Sequence, residues 1–225
     1  MKSKFKLAVL DIAGTTVVDK DFVAISFVQA FIHYGVDLSV EEINPLMGFK
    51  KTEAIAKVLS SKNIEVSEEK VKLIHDLFVA EMIKFYSNSP EVEAISGAED
   101  FFMFLKSKDI VVTLDSGFPR VIVEVVLDRL QWLEKGFIDH YIASDEVEKG
   151  RPFPFMINEL MKRADVQDVK SVIKIGDTMV DIQEGFMSGC GLVAAVTTGA
   201  YTRNELAVYA PHHIVDSLKE LEQFI

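Results

Sequence analysis

After Phe5 and Lys6, Leu7 to Leu10 form an apolar run that stops at Asp11-Ile12-Ala13-Gly14-Thr15. A strand with one solvated face alternates apolar and polar residues, so a continuous run of this kind belongs in a parallel sheet covered on both faces, and Gly14 marks a turn at its carboxyl end. A parallel strand needs crossover partners, and the chain supplies them. After Ser96-Gly97 the pattern alternates: helix 98–107, strand 110–114, helix 120–130, strand 140–143, helix 155–163, strand 171–175, helix 180–187, strand 191–196 and a C-terminal helix from about residue 217. The fold class this predicts is α/β, a doubly wound parallel sheet.

Between the first strand and this alternation the text is helical, over 22–34, 52–59 and 67–86, with Ser67-Glu-Glu-Lys as an N-terminal cap. Residues 1–16 and 95–225 are therefore expected to form a Rossmann-like core, and 17–94 a helical cap inserted after the first strand. In open α/β sheets ligands bind beyond the carboxyl ends of the strands, and such an insert would overhang that edge.

The chain's 225 residues, 49% hydrophobic, suffice for one domain with a smaller insert. Cys190 is the single cysteine and can form neither an intrachain disulfide nor a cysteine metal cluster. The N-terminal apolar run is too short for a signal peptide, and no window approaches ~18 uninterrupted apolar residues, so no membrane partner and a cytoplasmic location are expected. With 24 Lys plus Arg against 35 Asp plus Glu, the formal net charge of −11 disfavours a nucleic-acid partner. An anionic small molecule would need locally focused cations.

Four expected strand ends carry polar residues that packing does not require: Asp11 to Thr16, Asp115 to Gly117, Glu148 to Pro152 and Gly176 to Asp181. Each alone reads as a turn or helix cap. Together, Asp-Ile-Ala-Gly-Thr-Thr, Leu-Asp-Ser-Gly, Gly-Arg-Pro and Ile-Gly-Asp-Thr-Met-Val-Asp have the order and spacing of the haloacid dehalogenase superfamily, which the whole chain resembles. The resemblance implies a hydrolase in which Asp11 attacks phosphorus and forms an aspartyl-phosphate. It implies Mg2+ held by Asp11, the backbone oxygen of Ala13 and Asp177, an all-oxygen set that suits this ion. Asp181 would support the metal shell or a nearby lysine, or serve only as a helix N-terminal acid. Ser116 and Gly117 would hold the phosphoryl oxygens, with Thr113 as the competing hydroxyl. Arg151 would neutralise the nucleophile and the transferring group, with Lys149 as runner-up. Asp115 is unusual beside an anion site and is expected to point away or to cap the helix near Pro119. Gly14 and Thr15 complete the phosphate-side loop.

Phosphatases of this superfamily usually carry a second Asp two residues after the nucleophile, which protonates the leaving alkoxide. Here that residue is Ala13. The phrase Asp-Ile-Ala-Gly-Thr-Thr-Val resembles the phosphonoacetaldehyde hydrolase branch, which also has alanine there. Met47-Gly48-Phe49-Lys50-Lys51 is similar to that branch's Met-Gly-x-x-Lys, whose lysine forms a Schiff base with the substrate aldehyde. The resemblance implies phosphorus–carbon cleavage of a small phosphonoaldehyde with Lys51 as electron sink, and Gly48, Met47 and Phe22 shaping the pocket. The departures are Ala54 where the branch has a catalytic His, Phe118 where it has Tyr, and no Cys in 17–25. The second expectation is hydrolysis of a small phosphate ester or acyl phosphate, as in phosphoglycolate phosphatases, with Lys51 binding an anion. A non-catalytic phosphate-ligand binder is the third. A homodimer is compatible with all three. His212 and His213 point in opposite directions on an extended chain, so a shared metal is not expected.

Overall fold

In the computed structural model, which describes residues 3–225, the apolar run becomes strand β1, Leu7–Leu10, with all four side chains buried. Successive side chains of a strand point to opposite faces. Leu7 and Val9 accordingly join one hydrophobic cluster, and Ala8 and Leu10 join another. Five more strands follow: β2 (Val111–Ser116), β3 (His140–Ala143), β4 (Val172–Gly176), β5 (Leu192–Val196) and β6 (His213–Val215). They form a parallel sheet in the order β3-β2-β1-β4-β5-β6. The chain winds outward from β1 to β3, returns to β1's other side at β4 and winds out again. The carboxyl ends of β1, β2 and β4 therefore converge at the reversal point, where ligands bind in such sheets.

The helical insert between β1 and β2 comprises α1 (Phe22–His33), α2 (Val40–Ile43), α3 (Lys51–Ser61) and α4 (Glu68–Asn88). The Ser67 hydroxyl accepts the Lys70 amide at the start of α4, as expected. Helix α2 was not anticipated: its four residues are too few for a readable period, although Ser39 and Glu42 form a capping box. The chain leaves and re-enters the sheet along neighbouring segments, tied by Ile95 N–H to the Thr16 carbonyl at 2.9 Å and by Val18 N–H to the Glu93 carbonyl at 3.0 Å.

Helices α5 (Ala98–Ser107) and α6 (Arg120–Leu130) cover one face of the sheet, and α7 (Phe155–Arg163) and α8 (Met179–Ser188) cover the other. Helix α4 packs along both α1 and α6. Phe78 meets Phe27 and Phe118 at ring-centroid distances of 5.5 and 6.5 Å, so one hydrophobic cluster runs from the sheet into the insert. A short helix α9 (Arg203–Ala207), capped by Thr202 and Glu205, was not foreseen. The expected C-terminal helix is a 3-10 segment, Leu218–Phe224. The histidine pair diverges: the Val193 amide donates to His212 Nδ1, while the His213 ring stacks on Phe224. No helix among the described residues is long and apolar enough to cross a membrane.

Residues 47–51 lie against the loops at the carboxyl edge of the sheet. Lys50 donates to the Val147 carbonyl at 3.2 Å. A Cβ at Gly117 would come within 2.5 Å of the Phe49 carbonyl oxygen and 2.6 Å of that of Gly48. Both obstacles are backbone, so rotamer change cannot relieve them. Gly117→Ala is expected to separate these loops and cost about 1–3 kcal/mol in denaturant unfolding, the range typical of overpacking. Wild-type stability in this variant would mean that the two loops are not in contact.

Candidate active site

Asp11 follows β1 directly, its amide bonded to the Ile175 carbonyl of β4 at 3.0 Å, while the Thr16 hydroxyl donates to the Asp11 carbonyl at 2.9 Å and closes the turn. These bonds aim the carboxylate beyond the sheet edge. Arg151, 0% exposed, donates from Nη2 to Asp11 Oδ1 at 2.5 Å and from Nη1 to Asp181. A planar fork with two separated donors suits this bridge. Lys149, the runner-up, is exposed, its ammonium over the Phe153 ring.

Asp177 sits just past β4. Thr15 Oγ1 donates to its Oδ1 at 2.9 Å and the Ala200 amide to its Oδ2 at 2.8 Å. Gly14, at φ +83°, is required here twice over: its backbone is left-handed, and a Cβ would come within 2.6 Å of Asp177 Oδ2. Asp181 lies in the first turn of α8, where it accepts from the Thr178 amide and hydroxyl as well as from Arg151. Two of its sequence readings hold together, the first-turn acid of α8 and the partner of a lysine, since Lys174 also reaches it at 3.1 Å.

Asp115 points away from the pocket and does not cap α6. Both its oxygens accept from Lys174 Nζ at 2.6 Å, and the first amide of α6 is capped by Asp145 instead. Glu184 completes this lower layer, 3.0 Å from the same ammonium. Sequence reading missed Lys174 and Glu184. The signal was present: Lys174 interrupts an otherwise apolar strand buried on both faces, and a buried lysine requires acidic partners. Burial disfavours its charge, but Asp115, Glu184 and Asp181 hold the Lys174 pKa above its usual range. Burial and the neighbouring Asp115 push the Glu184 carboxyl well above the ordinary carboxylate range. Thr113, the alternative to Ser116, donates to the Ala8 carbonyl between strands at 2.8 Å. Ser116 faces the pocket, its hydroxyl accepting from the Phe118 amide at 3.1 Å.

A small pocket joins these strand ends to the insert. Asp11, Ala13, Ser116, Gly117, Asp177 and Thr178 line it from the sheet side, and Asp19, Val23, Met47, Gly48 and Lys51 from the other. Phe22 is not among its lining residues; its ring lies 4.1 Å from that of Phe85. Lys51 is not the solvated helix-start lysine that its sequence position suggests: it is 3% exposed, makes no hydrogen bond or ion pair among the described residues, and lies 5.4 Å from the Phe118 ring centroid. Burial, reinforced by Arg151, lowers its pKa to about 8.

The pocket is acidic where it meets the sheet. Burial, opposed by Arg151 and aided by Asp181, raises Asp11 to about 6. Burial next to Asp11 and Asp181 raises Asp177 well above the carboxylate range. Asp11, Asp177 and Asp181 bring carboxylate oxygens within 4.8 Å of one another, and so do Asp115, Asp181 and Glu184. The second group already surrounds an ammonium. In the first, Asp177 has only neutral donors and no ion-pair partner among the described residues, so an all-oxygen cation site fits its chemistry.

A family model described as haloacid dehalogenase-like hydrolase matches residues 8–195. A phosphonoacetaldehyde hydrolase of Syntrophobacter fumaroxidans is 29% identical over 210 residues, covering 87% of this chain and 73% of that protein. Among solved structures, a phosphonoacetaldehyde hydrolase-like protein from Oleispira antarctica superposes with a TM-score of 0.84 at 23% identity, covering 99% of this chain and 91% of its own. A protein assigned as a phosphoglycolate phosphatase from Lactobacillus delbrueckii subsp. bulgaricus superposes with a TM-score of 0.79 at 21% identity, with 99% of each chain covered. These two structures share the fold.

Lys174 and Glu184, partners in one buried layer, respond differently to substitution. Lys174→Met strands Asp115 and its neighbours without their cation and should cost about 3–5 kcal/mol in denaturant unfolding. Glu184→Gln should be neutral or stabilising at pH 7. An acid whose folded pKa is raised loses stability as pH climbs above its unfolded value, and glutamine removes that penalty. A large loss with Glu184→Gln would show that Glu184 is charged in the folded protein.

Proposed function

The chain belongs to the haloacid dehalogenase-like hydrolases, and on that premise we propose that it cleaves the phosphorus–carbon bond of a small phosphonoaldehyde such as phosphonoacetaldehyde, through an aspartyl-phosphate on Asp11. The observation that carries this reading is Lys51: a buried amine with no ion-pair partner among the described residues, lining the same pocket as Asp11, opposite a position 13 that bears no acid. A lysine meant only to bind an anion works best fully charged. One buried without a carboxylate partner is placed to work as a neutral amine.

In this reading residues 17–94 are the cap and carry the carbonyl chemistry, while the core carries the phosphoryl chemistry. Lys51 adds to the aldehyde and forms an imine whose protonated nitrogen can accept the electron pair of the breaking phosphorus–carbon bond. Asp11 attacks phosphorus from the other side of the pocket. The Ser116 hydroxyl and the Gly117 amide hold the phosphoryl oxygens, and Arg151, fixed by Asp181, keeps Asp11 charged and aimed. Mg2+ would be held by Asp11, the Ala13 carbonyl and Asp177, with Asp181 behind them, and would supply positive charge against the anionic phosphonate. The leaving group is an enamine rather than an alkoxide, so no acid is needed at position 13. The free space is about 30 Å³, room for little more than water. Substrate entry therefore requires residues 47–51 to separate from the core loops.

One observation favours phosphate-ester or acyl-phosphate hydrolysis instead: Ala54 and Phe118 provide no side chain able to move a proton. Substitution and pH separate the readings. Asp11→Asn or chelation of Mg2+ should abolish all turnover. Lys51→Arg keeps the charge but cannot form an imine, and should lower phosphonoacetaldehyde turnover by about 10³-fold or more while sparing acetyl phosphate hydrolysis. Because the neutral amine is the active form, phosphonoacetaldehyde turnover should rise with pH through about 8. Wild-type protein that hydrolyses phosphate esters but leaves phosphonoacetaldehyde intact would overturn the phosphorus–carbon reading.

A further inference from the structure

We propose that Asp19 is the acid–base residue that serves Lys51, a role that rests on the phosphonoaldehyde reading above and that no motif assigns. Imine formation and hydrolysis need proton transfers even though the phosphorus–carbon cleavage step itself does not. The side chains lining the pocket that can carry a proton are Asp11, Asp19, Lys51, Ser116, Asp177 and Thr178. Asp11 is the nucleophile and is bound to Arg151. Asp177 is held by Thr15 and the Ala200 amide, Thr178 donates to Asp181, and Ser116 accepts from the Phe118 amide. Asp19 alone has no partner that commits it to the phosphoryl side.

Its position is built by the fold. Asp19 lies between the segment that leaves the sheet and α1, and its Oδ1 accepts the Val23 amide at 3.2 Å, so the first turn of α1 orients the carboxyl group. The charged and titratable groups facing it are Lys51 from α3, Asp21 from its own loop, Tyr86 from α4 and Asp11. Burial raises its pKa above the ordinary aspartate value against the pull of the Val23 and Phe22 amides and Lys51, which keeps a transferable proton available closer to neutrality.

The protons balance over one turnover. The neutral Lys51 amine forms a bond to the aldehyde carbon, and a proton shift from nitrogen to oxygen gives the carbinolamine. Its C–O bond breaks as Asp19 protonates the hydroxyl, releasing water, and the nitrogen lone pair closes the C=N bond. After the phosphoryl group passes to Asp11, the enamine carbon takes a second proton. Water then splits the product imine and the aspartyl-phosphate, and each hydrolysis releases one proton. Asp19 thus recovers its proton, while Lys51 and Asp11 are regenerated.

A side chain that only caps α1 needs an acceptor oxygen, which asparagine supplies; an acid–base residue needs a proton, which asparagine cannot carry. Asp19→Asn should therefore fold with wild-type thermal stability, keep KM for phosphonoacetaldehyde within about threefold, and lose about 10²–10⁴-fold in kcat. In Asp19→Ala, added formate should restore part of the rate. If wild type cleaves phosphonoacetaldehyde and Asp19→Asn stays within about threefold of its kcat, this inference fails while the functional reading stands. A rate loss in Asp19→Ala that formate does not touch also counts against it. Wild-type protein inert toward phosphonoacetaldehyde removes the functional reading, and this inference with it.

Discussion

The bridge from Asp11 through the Arg151 guanidinium to Asp181 is the interaction on which the site depends. None of the three side chains could be buried alone at tolerable cost. Buried together, they require that β1, the loop before α7 and the first turn of α8 meet at one point. The parallel sheet with its reversal beside β1 brings those strand ends together, and the Lys174 layer beneath carries Asp115, Asp181 and Glu184 in the same manner. What the two internal cations leave uncompensated is Asp177, and that residue makes the pocket receptive to a further cation. Charge and topology are thus two views of one arrangement.

The family of this chain usually solves the leaving-group problem with a carboxylic acid on the nucleophile's own loop. Here Ala13 removes that solution, and the pocket takes its other reactive group from the insert. The chemistry attributed to Lys51 depends on the glycine contacts at 48 and 117, because only backbones without a Cβ let residues 47–51 reach the sheet edge. A position that looks like packing is therefore a condition for reactivity. The proposed division of labour, phosphoryl transfer on the sheet and carbonyl chemistry on the insert, follows from which side of the pocket each side chain enters.

Much of this was legible in sequence. Continuous apolar strands alternating with amphipathic helices announced the parallel sheet, and features fixed by short-range geometry, such as the turn at Gly14 and the helix start at Ser67, were read from local residue types, whereas Asp177 came only with its motif. The loop residues Asp11, Ser116 and Arg151 were found because their motifs occur in a fixed order. Less visible were groups whose meaning comes only from tertiary contact. Lys174 interrupts an apolar strand and so signals its own burial, but neither spacing nor composition shows that Asp115 and Glu184 are the acids it meets. Asp19 belongs to none of the motifs, and only the fold sets it in the same pocket as Lys51. Phe22 stood in an expected pocket position, yet packing against Phe85 was available and took its ring out of the lining. Lys51 was singled out by its Met-Gly-x-x-Lys motif, but its burial is a tertiary fact: a lysine opening a helix is usually solvated, and the closure of 47–51 onto the sheet removes the water.

The central claim is that the lowered pKa of buried Lys51 makes its neutral form available for imine formation, and product alone can test it. Acetaldehyde with borohydride should place an ethyl group on Lys51, detected by peptide mass spectrometry, ahead of the exposed lysines. An absence of adduct on Lys51, or labelling no faster there than at exposed lysines such as Lys149, would contradict the account.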